Sequence, residues 1–302
     1  SFTIPRNVTK MGVNPFAGCN GLTNLNVESG NTKYDSRDGC NAIIDSETDV
    51  LIAGCNATVI PNTVKTLGKD CFCSLTKMTS IVIPDGVETI GYGAFFDCAG
   101  LTSVDIANSV TAIDDYAFEE CDNLSIITLP SLLETIGEGA FYNCDKLAEI
   151  NLPNSLKSIG KYAFYDSGIK RIISEMTDPC QLGNNVFYNI YSTATLVVPT
   201  GAKSNYQDTG TEWDKFSDIV DGEFKEIANA GGIPFYYILH PDNKTAVVTC
   251  KLPTNEQNEY SYSGDIVIPE TVNSDGVEYT VTSIGSYAFR YCSGLTSLTI
   301  PN

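Results

Sequence analysis

Histidine is almost absent from this chain: His240 is the only one in 302 residues. That leaves almost no material for His-based metal centres, for Ser-His or Cys-His nucleophile pairs, or for imidazole acid-base work. Positive charge is scarce as well, with 18 Lys and Arg against 37 Asp and Glu and a formal net charge of -19. A surface of that sign repels nucleic acid and anionic membranes alike. No stretch approaches the roughly 18 consecutive apolar residues of a membrane span, and Ser1–Phe2–Thr3–Ile4–Pro5 has no basic region followed by an apolar one. What is present is 42% apolar and 10% aromatic content, enough for one or two packed domains.

The organising feature is a repeat. Ile83-Pro84, Ile106-Ala107, Leu129-Pro130 and Leu152-Pro153 are spaced 23 residues apart, and the rest of the unit keeps step. Gly91, Gly137 and Gly160 recur at one phase, Ala94-Phe95, Ala117-Phe118, Ala140-Phe141 and Ala163-Phe164 at another, then Cys98, Cys121 and Cys144, then Leu101, Leu124 and Leu147. Degenerate copies begin at Ile4-Pro5 and Ile60-Pro61, and a late one runs from Tyr287-Ala288-Phe289 to Ile300-Pro301. A period of about 20–29 residues with a short L-x-x-L-x-L strand marks a leucine-rich-repeat solenoid. The predicted fold is a mainly-β, right-handed coil of short strands with β-hairpin insertions and a small mixed cap. In Leu101–Ile106 the residues Leu101, Val104 and Ile106 face inward, leaving Ser103 and Asp105 outside. One coil buries little, so stability accumulates from neighbour to neighbour.

Departures from the period mark the special segments. Val27 and Ile60 are 33 residues apart rather than 23, and the excess reads as a hairpin turning at Ser46–Asp49. If Ser46 faces Asp49, Cys40 lies opposite Cys55, where strand Cα atoms are about 4.5–5.5 Å apart and within disulfide reach. That pair is read either as a bridge or as two free, half-buried thiols. The sequence divides into a repeat array at 1–174 with the insertion at about 28–59, an irregular terminal repeat and cap at 175–224, and opening strands plus a first repeat of a second or continuing array at 225–302. Trp213 is expected to anchor the cap on the open end of the core. A second hairpin is expected near Asn273–Gly276, and His240 is expected in an exposed turn beside Pro241.

Carrying the consensus I-P-x-x-V-x-x-I-G-x-x-A-F-x-x-C-x-x-L-T, the chain resembles BspA-like leucine-rich-repeat cell-surface proteins of host-associated anaerobic bacteria, with the pattern strongest over 60–173. The resemblance implies an exported protein, at the cell surface or secreted, lipid-anchored through a segment outside this chain, and used for adhesion or protein binding. It supplies no catalytic residues and no cofactor, so a non-enzymatic protein is expected.

The candidate binding surface is the outward strand column Asn24 and Asn26, Ser80 and Val82, Ser103 and Asp105, Ile126 and Thr128, Glu149 and Asn151, Arg171 and Ile173. Side chains there are constrained by neither core nor turn, and repeat proteins recognise partners along such faces. Exposed Ile126 and Ile173 favour contact over plain solvation. The expected partner is an extracellular or host protein, bound by a monomer. A glycan stacked on Tyr116, Tyr162 and Tyr287 is the alternative, and a purely structural surface scaffold is a third reading. Cys19, Cys98, Cys121, Cys144 and Cys292 share the core phase and read as a buried apolar ladder. Cys71 and Cys73 lack a second ligand pair, and the Asp114, Asp115, Glu119, Glu120 and Asp122 group reads as a solvated acidic rim, so no metal site is assigned.

Overall fold

The computed structural model describes residues 1–207, 209–228, 234–249, 262–285, 288–289, 292 and 294–300. They form a mainly-β solenoid with almost no helix, built from about ten turns of about 23-residue spacing. Successive coils are hydrogen-bonded on three sides, and this fixes their register. On the first side Ser80–Ile83, Ser103–Ile106 and Ile126–Ile127 pair in parallel, with Ser80 beside Ser103 and Ser103 beside Ile126. Glu149–Leu152, Arg171–Ser174, Thr195–Val198 and Asp218–Asp221 continue as a separate four-stranded sheet. On the second side the two-residue strands Thr66–Leu67, Thr89–Ile90, Ala112–Ile113, Thr135–Ile136, Ser158–Ile159 and Gln181–Leu182 belong to a nine-stranded sheet. On the third, turn amides reach into the next coil, as Phe95 N does to Ala117 O at 2.8 Å and Phe118 N to Ala140 O at 2.8 Å.

Because each coil repeats the previous one by translation, like residues stack on like. The rings of Phe72, Phe95, Phe118, Phe141, Phe164 and Phe187 form one column, with neighbouring centroids 5.0–5.4 Å apart and planes within 7°. Beside them the thiols of Cys98, Cys121 and Cys144 are fully buried and donate to the carbonyls of Phe72, Phe95 and Phe118 at 3.1–3.3 Å. Burial pushes the Cys98 thiol up to about 12, so it is an inert apolar filler rather than a nucleophile. The ladder is shorter than the sequence suggests: Cys19 is exposed and Cys292 only half-buried. Cys98, Cys121 and Cys144 each bond to the coil before them. Glycine recurs after the two-residue strands because coils touch there. A Cβ on Gly160 would lie 2.4 Å from Glu138 N.

The insertion joins the nine-stranded sheet instead of projecting from it. Ala42–Asp45 and Val50–Gly54 form the hairpin, with Tyr34–Asp35 on its outer edge and Thr66–Leu67 on its inner one. Ile44 faces Leu51 and Asp45 faces Val50, but the register then shifts, so that Ile43 faces Ala53 and Ala42 faces Gly54. This bulge carries Cys55 one position out of step with Cys40. Both thiols are free: Cys40 Sγ donates to Ala42 O at 3.7 Å and Cys55 Sγ to Asn41 O at 3.4 Å. The proposed bridge is thereby corrected.

At the far end of the array Trp213 lies buried, its ring 5.3 Å from Phe187 and its Nε1 donating to Cys180 O at 3.1 Å. It closes the phenylalanine column. From Glu223 the chain enters a mixed sheet of Glu223–Ala228, Pro234–His240, Thr245–Thr249, Val277–Ile284 and Thr271–Ser274, which has its own core around Phe235, Tyr237 and Tyr262. Asp275 and Gly276, both at positive φ, turn the hairpin between the last two strands. His240 ends a strand, half-buried, where an exposed turn was expected, with Nδ1 3.9 Å from Asp221 Oδ1.

Candidate functional site

The predicted strand column survives as three separate pieces. Asn26 on Leu25–Val27 and Asn24 just before it are half-buried, and that strand pairs with Phe2–Ile4 rather than with Ser80–Ile83, because the insertion intervenes. Their amides bond to each other, Asn26 Nδ2 to Asn24 Oδ1 at 2.6 Å. The middle piece is a continuous open face. Val82 is 61% exposed and Ile126 50% exposed, set diagonally across half-buried Ser103 and exposed Asp105, with Ser80 and Thr128 exposed at the corners. All six sit on backbone held by parallel pairing or immediately beside it, so the surface is rigid.

The third piece differs from expectation. Arg171 is only 4% exposed, and Ile173 is half-buried rather than open. The Arg171 guanidinium bonds to Glu149 Oε2 at 2.8 Å and Thr249 Oγ1 at 3.1 Å, and sits 4.6 Å over the Phe224 ring. The mixed sheet thus reaches onto the strand face at this coil, through a residue 78 positions distant in sequence. Glu149 is consequently half-buried and engaged, and Asn151 alone in this group is exposed.

The tyrosines also depart from the simple platform. Tyr116 Oη donates to Glu138 Oε1 at 2.8 Å, which helps push its phenol up to about 12, and its ring covers Gly139, where a Cβ would come within 2.7 Å. Tyr162 carries Lys161 Nζ 4.6 Å from its ring centre and meets Tyr165 edge-on at 5.5 Å. Tyr287 lies outside the described residues. A different aromatic row exists that the consensus passed over. Tyr142, Tyr165 and Tyr188 stack at 5.0 and 4.9 Å with planes within 8°, each directly after a repeat phenylalanine. Their signal was the A-F-Y and V-F-Y triplets at one phase. Within the row Tyr165 is covered on both faces, and Tyr142 and Tyr188 on one each.

Two members of the acidic group are engaged within the fold. Asp115 Oδ1 accepts from Glu138 N at 2.7 Å and Glu120 Oε1 from Asn143 Nδ2 at 3.0 Å. Asp122 is pushed up, chiefly by burial and then by Asp145. Among the described residues no three His, Cys, Asp or Glu side chains converge as metal ligands, and no helix is long and apolar enough to cross a membrane.

Sequence comparison decides the family. The BspA type leucine rich repeat region matches residues 1–38, 53–170, 112–209 and 266–302 in six copies. The chain belongs to the BspA-type leucine-rich-repeat family. Several solved structures resemble this BspA-type array. The pneumococcal vaccine antigen PcpA is 21% identical, with a TM-score of 0.58 over 73% of this chain and 55% of that one. A leucine-rich repeat protein from Bacteroides ovatus is 20% identical over 99% of this chain and 69% of that one, with a TM-score of 0.43. A leucine rich cell surface protein from Faecalibacterium prausnitzii is 20% identical over 89% and 75%, with a TM-score of 0.40. The chain thus spans about half the length of PcpA, and the likeness is one of fold. No curated protein sequence matches the chain.

Proposed function

We propose that this BspA-type protein is a non-enzymatic, exported bacterial surface protein that binds an extracellular or host protein through the strand face bounded by Ser80 and Thr128. The observation that carries the reading is the pair Val82 and Ile126, two large apolar side chains left in water on an otherwise regular, hydrogen-bonded sheet. Apolar side chains on a wet strand invite unwanted pairing unless a partner covers them. A rigid surface also loses little conformational entropy on binding. Family membership and the likeness to the pneumococcal antigen PcpA support the surface location. A glycan partner is the weaker reading, because no tyrosine of the stacked row offers an uncovered pair of ring faces.

The test is a screen of the purified protein against immobilised extracellular-matrix proteins and a glycan array, in buffers with and without calcium. Saturable binding to a matrix protein supports the proposal. Binding confined to glycans, or none on either panel, contradicts it.

A further inference from the structure

A groove of about 570 Å³ runs along the nine-stranded sheet, lined among others by Tyr92, Asp114, Thr135, Glu138, Ser158 and Lys161. It lies on a different side of the coil from the strand face, and its argument does not depend on that face. The anomaly within it is Asp114. At this phase the other coils carry Gly68, Gly91, Gly137, Gly160 and Gly183. The backbone bond is the same with or without the side chain: Asp114 N reaches Ile90 O at 2.8 Å, as Gly91 N reaches Leu67 O at 2.9 Å and Gly137 N reaches Ile113 O at 2.8 Å. The carboxyl is therefore an addition that the fold does not require.

Among the described residues the half-buried Asp114 carboxylate has neither a hydrogen bond nor an ion pair, whereas its acidic neighbours are occupied. Asp115 accepts Glu138 N, and Glu138 takes Tyr116 Oη at 2.8 Å and Lys161 Nζ at 3.6 Å. Burial, followed by the charge of Asp115, pushes the Asp114 carboxyl above its ordinary value, as expected where negative charge has no counterpart. The aromatic wall already accommodates ammonium groups, since Lys69 Nζ sits 4.3 Å over Tyr92. Along the floor Thr135 and Ser158 stand side by side in register and can meet the polar backbone of an extended chain. A divalent ion would find a single free carboxylate here, too few ligands to hold it.

We propose that this groove binds a lysine- or arginine-bearing extended segment of a protein partner, with the cationic side chain paired to Asp114. The cation supplies the charge the site lacks, and the size of the groove suits a short stretch of chain.

The probe is a fluorescein-labelled peptide in which two lysines are separated by serines, titrated by anisotropy at about 0.15 M salt, where diffuse attraction to an acidic surface is damped. Asp114→Gly restores the residue of the other coils and Asp114→Asn keeps the shape; both should melt no lower than the wild type. Each is expected to weaken the peptide about tenfold or more, while Asp85→Asn, which removes the same charge from an exposed turn outside both the groove and the strand face, changes affinity by less than about threefold. The proposal is overturned if the wild type does not bind the peptide, if the Asp114 variants bind like it, or if Asp85→Asn loses as much. It is equally overturned if a neutral oligosaccharide such as maltoheptaose depends on Asp114 and the peptide does not.

Discussion

The array from Phe72 to Phe187 and the mixed sheet from Glu223 onward both build their cores from aromatic rings, but arrange them differently. In the array six phenylalanines stack with planes within 7°. In the mixed sheet Phe235 meets Tyr262 at 43°, and Tyr262 meets Phe289 at 44°, at similar 5.1 Å separations. Translation repeats one rotamer in one environment and therefore stacks it; a core assembled from strands of different direction packs each ring in its own way. The array consequently spreads its stability over equivalent neighbours, while the mixed sheet depends on a few individual contacts and on its footing at Arg171.

The largest effect should come from interrupting the column. Phe118→Ala opens a gap between Phe95 and Phe141 and should cost about 3–5 kcal/mol. The change is read as a lower urea midpoint of Trp213 fluorescence, since Trp213 rests on the end of the same column. Phe235→Ala removes an equally buried ring from the mixed sheet and should leave the Trp213 transition in place. If it shifts that transition as far as Phe118→Ala does, the two cores are one cooperative unit.

Next in size is crowding between coils. Gly160→Ala forces a Cβ to within 2.4 Å of backbone and should cost about 1–3 kcal/mol by calorimetry. The same change at Gly12, with nothing within 4 Å, should stay within about 0.5 kcal/mol.

The junction of the two regions should respond more locally. Arg171→Met leaves the half-buried Glu149 carboxylate without its guanidinium and should cost about 1.5–3 kcal/mol. Hydrogen exchange should then rise at Glu149–Leu152 and Thr245–Thr249 but not at Ser103–Ile106.

The smallest effect concerns Asp114 and carries a definite sign. Its folded-state pKa lies above the ordinary 3.8, so the folded protein holds that proton more tightly than the unfolded chain does. Its contribution to stability is therefore lost as pH rises through the folded-state value. Asp114→Asn should melt slightly higher than the wild type at pH 7, and the gap should close as pH falls below the ordinary carboxylate range.

What the sequence made legible follows the same division. Residues whose environment is set by the 23-residue period, such as Phe95, Phe118 and Cys121, announce their burial by recurrence, because each repeats a neighbour one coil away. Residues set by distant or irregular features do not. Arg171 reads as an outward strand residue, and only a sheet strand 78 residues later removes it from solvent. The shift at Ile43–Ile44 separates Cys40 from Cys55, yet a bulge leaves no mark in a short apolar run. Within the candidate site, the exposure of Val82 and Ile126 was readable from alternation, whereas the Tyr142 row and the solitary state of Asp114 needed the stacking geometry. Asp114 was visible as an acid, but its departure from a glycine column acquires meaning only where the groove opens around it.

The central functional claim is that recognition belongs to the strand face and not to apolar exposure in general. Leu132 supplies the control, being 56% exposed in a turn away from that face, against 61% and 50% for Val82 and Ile126. Affinity for a captured matrix protein should therefore be measured for the wild type, for Val82→Asp with Ile126→Asp, and for Leu132→Asp. The account predicts a loss of about tenfold or more in the double variant and none in Leu132→Asp, with melting temperatures preserved. Equal binding by the double variant and the wild type would contradict it.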